Sequence, residues 1–199
     1  MNILIDLLPQ KIKIKGIEYD INSDFRTSML FEIMMADNEL NDKQKVEQAL
    51  QLYYPKIPNN IDKAIEQLLC FYRCGKDIVI SSGIGKGKST QIYDFNSDDD
   101  YIYSAFLDQY GVDLQDIEFL HWWKFKALFK SLREDNEIVK IMGYRSMDLN
   151  KIKDKEQKLH YKKMKDLYKI KIQKSKDEIE KLDNIKEALL NGGDLSKLL

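Results

Sequence analysis

Histidine is scarce in this 199-residue chain, confined to His121 and His160, and cysteine is confined to Cys70 and Cys74. A structural zinc site needs about four nitrogen or sulfur ligands. The two cysteines sit four residues apart with no second Cys/His cluster, so they read as reduced, half-buried thiols rather than metal ligands. Neither histidine has a Ser or Cys beside it with a third group to orient it, so no catalytic triad is expected. Net charge is nearly absent too, at −1, which argues against a general coat for nucleic acid. No apolar run approaches the roughly 20 residues of a membrane span. The opening MNILIDLLPQKIKIKG lacks an initial basic region and a small-residue cleavage site, so it is not read as a signal peptide. Proline is limited to Pro9, Pro55 and Pro58, which leaves the rest of the chain free to be helical.

What the chain has is aromatic mass in one place. Residues 93–145 hold both tryptophans, Trp122 and Trp123, and five of the eight phenylalanines, Phe95, Phe106, Phe119, Phe125 and Phe129. Aromatic side chains bury the most apolar surface per residue, so the core is expected to be densest here. Ser97 with Asp100 reads as a capping box that starts a helix through Tyr101, Ile102, Ala105 and Phe106, with Gly111 ending it. Asp113 is expected to cap a long helix over 114–132 whose apolar residues run almost all the way round, as in a helix buried on several sides or lying in an interface. Asp135 is expected to cap a short helix stopped by Gly143.

Around that stretch, KIKIKGIEYDI at 11–21 alternates apolar and polar residues about Lys15-Gly16, which predicts a β-hairpin. Two strands alone are marginal in water, so the hairpin must pack on helices or pair with another edge. Asn22 or Ser23 caps a helix through Phe25, Met29, Leu30, Ile33 and Met34. A second runs from about Asp42 to Tyr53 and ends before Pro55 and Pro58. A third starts near Asn60 and closes at Gly75. Residues 75–92 form a flexible Gly/Lys/Ser loop with a possible edge strand at 78–80. The predicted fold is therefore mainly α with a small N-terminal β-hairpin. A compact helical domain over 1–145 is followed by a charged helical extension over 146–199.

Charge is segregated. Residues 91–120 carry seven aspartates, one glutamate and no Lys or Arg, whereas 151–176 carry eleven lysines against Asp154, Glu156 and Asp166. The basic segment reads as one long, mostly exposed helix. Blocks of like charge stay solvated unless something answers them, so this helix either packs on the acidic stretch or meets an acidic partner. A further helix carries Ile179, Leu182, Ile185 and Leu189.

Two motifs invite a chemical reading. Ser82–Thr90 ends in Gly-Lys-Ser like a phosphate loop, but the pattern needs glycine where Ser82 stands. It also needs a helix opening at once, and Gln91–Phe95 is not helix-like. Asp94, Asp98, Asp99 and Asp100 lack the alternate ligand spacing of a calcium loop, and helix capping accounts for Asp98–Asp100. No catalytic residue, cofactor or metal site is therefore expected. Tyr101, Tyr103, Tyr110, Trp122 and Trp123 are more aromatic residues than one small helical core needs. Tyr and Trp dominate interface hot spots, so these five are the candidate partner-binding residues.

The run DDDYIYSAFLDQYGVDLQDIEFLHWWKFKALFKSL at 98–132, closed by IMGYR at 141–145, resembles the bacteriophage gene product fifteen family, and IKIKGIEYDINSDFRTSMLFE at 12–32 resembles that family's start. The likeness covers most of 11–145. It implies a protein of the tail module of long-tailed phages and prophages of Gram-positive bacteria, encoded just before the tape-measure gene. That position implies a tail assembly chaperone, working in the host cytoplasm, which binds the tape-measure protein and keeps it soluble before tube polymerisation, with possible self-association. The alternative is a structural component retained in the virion at a tail terminus or connector, and a nucleic-acid-binding helical protein stands further off.

Overall fold

The computed structural model describes residues 2–76 and 91–171. The predicted edge strand at 78–80, the motif at Ser82–Thr90 and the helix through Ile179–Leu189 lie outside these residues. Among the described residues the chain is mainly helical, with one two-stranded antiparallel sheet.

The hairpin forms where the alternation placed it: β1 is Lys11–Ile14 and β2 is Ile17–Asp20, with Ile14 opposite Ile17 and Lys11 opposite Asp20. Lys15 and Gly16 take φ of 48° and 86°, the two left-handed residues of the turn whose twist suits a tight hairpin. The hairpin finds its support on a helix: Ile14 is buried in the core, and β1 lies against α3.

Helices α1 (Phe25–Ala36), α2 (Asp42–Tyr53) and α3 (Ile61–Tyr72) follow. Asn41 and Gln44 form a reciprocal capping box on α2, and Asn60 accepts from the Lys63 amide at the start of α3. Each satisfies backbone donors that a helix start leaves free. The cap of α1 is Asp24, not Asn22 or Ser23; its carboxylate accepts from the Arg26 amide at 3.0 Å. Ser23 is used elsewhere, because its carbonyl accepts the Trp122 amide at 2.8 Å.

The expected long helix over 114–132 is not there. Helix α4 (Asp99–Tyr110) ends at Gly111 with φ 63°, and α5 begins only at Trp122 and runs to Lys130. Asp113 caps a single turn, accepting from the Gln115 and Asp116 amides. Beyond it, Leu120 and His121 are extended and pair with the chain around Asp24. The Phe25 amide donates to the Leu120 carbonyl, and the Leu120 amide donates to Asp24 Oδ2. Distant backbone partners outcompete local helix formation here, and the all-round apolar pattern reflects burial rather than helix length.

Helix α6 (Glu137–Ser146) starts after Asn136 rather than Asp135 and passes straight through Gly143. A Cβ at Gly143 would meet nothing within 4 Å. Gly143→Ala is therefore expected to stabilise the chain by about 0.5–1 kcal/mol, read as a higher urea midpoint with an unchanged slope.

The basic segment is also shorter than expected. After a 3-10 turn at Leu149–Lys151, α7 spans only Lys155–Leu167, capped by Asp154. It has no buried residue, yet it docks on α6: Tyr144 stacks on Tyr168 at 5.9 Å, and Lys165 donates to the Met147 carbonyl. No salt bridge among the described residues joins its lysines to the acidic stretch.

Candidate partner-binding site

The five aromatic residues singled out from the sequence do not share one surface. Trp122 is fully buried, and its indole nitrogen donates to the Tyr72 carbonyl at 2.9 Å. Trp123 is nearly as deep, with its indole donating to the Phe71 carbonyl at 2.8 Å. The last carbonyls of a helix have no intrahelical donor. Two adjacent tryptophans of α5 thus serve the C-terminal end of α3, where Cys74 (φ 61°) and Gly75 (φ 66°) turn the chain away. Tyr103 and Tyr110 are half-buried and tied down, donating to Asp113 Oδ2 and to the Leu128 carbonyl. Of the five, Tyr101 alone is exposed, at 36%.

Phe125 stands at the centre of the ring system. It is fully buried and stacks on Phe106 at 4.8 Å, Phe25 at 5.2 Å, Trp122 at 5.7 Å and Phe129 at 5.9 Å. Offset stacks of this kind add to simple burial, and here they join α1, α4 and α5.

Three polar groups, one half-buried and two buried, are satisfied inside this apolar body. Glu32 of α1 accepts from the Tyr72 hydroxyl at 2.6 Å and the Tyr93 hydroxyl at 3.2 Å. Burial pushes its carboxyl above the ordinary range, while the Tyr72 bond, Lys126 and the Tyr93 bond pull the other way. The same burial raises both phenols, so they stay donors.

His121 is 3% exposed. Its Nδ1 accepts the Trp123 amide at 3.1 Å, which makes it the cap of α5. Its Nε2 lies 3.1 Å from the Pro9 carbonyl, which can only accept. The ring is therefore neutral with its proton on Nε2, as a satisfied buried imidazole should be. Burial holds its pKa below the usual 6.5; the Pro9 bond opposes this and Lys124 adds to it. A depressed histidine lets the unfolded chain bind the proton first, so its contribution is full above about pH 6.5 and falls away as pH drops towards the folded value. Glu32 is raised and gives the opposite slope from about pH 4.5 upward. Comparison with His121→Asn, which keeps a cap acceptor but cannot titrate, isolates the effect. The urea midpoint of the wild type is expected to fall more than the variant's between pH 7.5 and pH 5.5.

The third group is not the helix cap expected from the sequence. Asp98 does not cap α4 with its side chain. It is 1% exposed and takes a two-pronged ion pair from Arg145, at 2.5 and 2.9 Å. Asp98 Oδ2 also accepts the Asp94 amide, while Asp94 holds the turn at Asn96 and Ser97. Arg145 further donates to the Ile92 and Tyr168 carbonyls. One side chain thus ties the entry to α4, helix α6 and the end of α7. The nearest sequence signal was an arginine closing an apolar helix stripe.

The most exposed apolar side chains lie elsewhere. Leu4, Ile5 and Leu7 are 80–94% exposed in the arm before the hairpin, and Ile3 is partly so. The sequence signal for it is the row of aliphatic residues Ile3, Leu4, Ile5, Leu7 and Leu8, broken only by Asp6. Among the described residues no helix is long and apolar enough to cross a membrane, and no group of His, Cys, Asp and Glu is placed to hold a metal ion.

These features define a helical scaffold built on a stacked aromatic core, with an apolar arm on its surface. The chain belongs to the bacteriophage Gp15 protein family, whose model matches residues 4–170. It is thus a phage structural or assembly protein. The match includes the apolar arm and all of α7, beyond the 11–145 over which the resemblance was legible. No curated protein matches the chain, and no solved structure does.

Proposed function

We propose that the chain is a tail assembly chaperone that binds the tape-measure protein and keeps it soluble in the host cytoplasm until the tail tube polymerises. Family membership carries the reading, since the resemblance implies a gene of the tail module next to the tape-measure gene. The surface supports it: contiguous exposed aliphatic side chains mark interaction sites in otherwise polar proteins, and Leu4, Ile5 and Leu7 are such a set. Binding of this kind needs no catalytic residue or cofactor. Several copies docking weakly along one long helical client, with or without self-association, gain from multivalency.

Two observations test the proposal. Purified virions are expected to lack the chain; a fixed copy number per virion would make it a retained structural component instead. Leu4→Asp with Leu7→Asp is expected to abolish co-purification with the tape-measure protein without shifting Tm, because neither side chain is packed. Unchanged co-purification would exclude the arm as the client surface.

A further inference from the structure

Where α3 ends beside α5, a cleft of about 510 Å³ opens. Four cations line it, Arg73, Lys76, Lys126 and Lys130, over apolar walls that include Trp123 and Ile3, and no carboxylate is among its described lining residues. None of the four forms a salt bridge with a described residue, whereas Lys11, Arg26, Lys63, Arg133, Lys140 and Arg145 all do. Lys126 rests 5.0 Å from the ring centres of Tyr72 and Trp122. Arg73 has a buried Nε with no hydrogen-bond partner. A buried donor left without an acceptor is costly, and a charged one more so.

The anion that fits is a carboxylate-bearing chain rather than a compact phosphate. Phosphate sites are commonly built from backbone N–H groups converging at a helix N-terminus or a nest. This cleft adjoins the C-terminal end of α3, and its cations are split between the turn that follows α3 and helix α5. Lys126 and Lys130 are one turn apart on α5, a spacing of about 5–6 Å between Cβ atoms, which suits successive acidic side chains. Arg73 offers a planar fork for a single carboxylate. Trp123 and Ile3 add apolar wall beside the cations.

We propose that this cleft is a docking site for an acidic peptide segment of a partner protein, held by Arg73, Lys76, Lys126 and Lys130. The inference stands apart from the identity of the client, because it can be read with a peptide alone.

The test is isothermal titration of the full chain at low salt with a hexaglutamate peptide, a hexalysine peptide and inorganic phosphate. Hexaglutamate is expected to bind saturably at one site per chain, and more tightly than phosphate; hexalysine is expected not to bind. Lys76→Gln with Lys130→Gln, both exposed positions, is expected to weaken hexaglutamate binding by about tenfold or more, roughly 1.4 kcal/mol, with Tm unchanged. Lys162→Gln with Lys163→Gln, on the exposed face of α7, is expected to leave it unchanged. The proposal is overturned if hexaglutamate does not saturate, if the two double variants lose affinity equally, or if phosphate binds as tightly as the peptide.

Discussion

Arg145→Ala is expected to destabilise the chain by about 3–5 kcal/mol, the range for breaking a buried ion pair by removing one partner. The cause is what remains. Asp98 would keep a carboxylate 1% exposed with its two-pronged donor gone, and the Ile92 and Tyr168 carbonyls would lose the same side chain. A single surface salt bridge, by contrast, contributes about 0–1 kcal/mol. Loss of the Tyr168 contact has a local consequence as well. Helix α7 has no buried residue of its own, so amide exchange over 155–167 should accelerate in Arg145→Ala more than exchange in α3. Asp98→Leu combined with Arg145→Met removes both charges, and it should recover much of the lost stability. Equal loss in the single and double variants would mean that the ion pair is not what the site depends on.

Phe125→Ala is expected to cost a further-reaching 3–5 kcal/mol, roughly the figure for a buried aromatic truncated to alanine. Phe125 is fully buried and stacks on four rings drawn from three helices. Close-packed interiors relax only partly around a lost side chain, so the cavity persists. Phe125→Leu keeps most of the volume and should cost clearly less. For a domain of this size the alanine variant should lower Tm by about 10 °C or more, with tryptophan emission shifted to the red as water reaches Trp122. A Tm within a degree or two of wild type would show that the stack is not the centre of the core.

The parts of the fold that were legible in sequence are those fixed by local chemistry. Lys15-Gly16 between alternating strands gave the hairpin, Asn60 and Gly75 bracketed α3, and Gly111 ended α4, because turns and caps depend on a few neighbouring residues. The misreadings share one cause: distant partners. Residues 114–121 carry a helical apolar pattern, yet Leu120 and His121 bond to the chain around Asp24, almost a hundred residues earlier. Asp98 looks like a helix cap, and only the fold brings Arg145 to it. The candidate aromatic site was legible as a cluster but not as a surface, since nothing local tells that Trp122 and Trp123 turn inward to the Tyr72 and Phe71 carbonyls. The acidic stretch and α7 each found partners, but not each other: Asp98 meets Arg145 and Asp108 meets Arg133, while α7 docks through tyrosines.

The most direct test of the proposed role is co-expression with the tape-measure protein, followed by affinity pull-down and size-exclusion chromatography with light scattering. The chaperone reading predicts that the tape-measure protein becomes soluble only with this chain present and co-elutes with several copies of it. A tape-measure protein that stays insoluble while this chain elutes alone would contradict it.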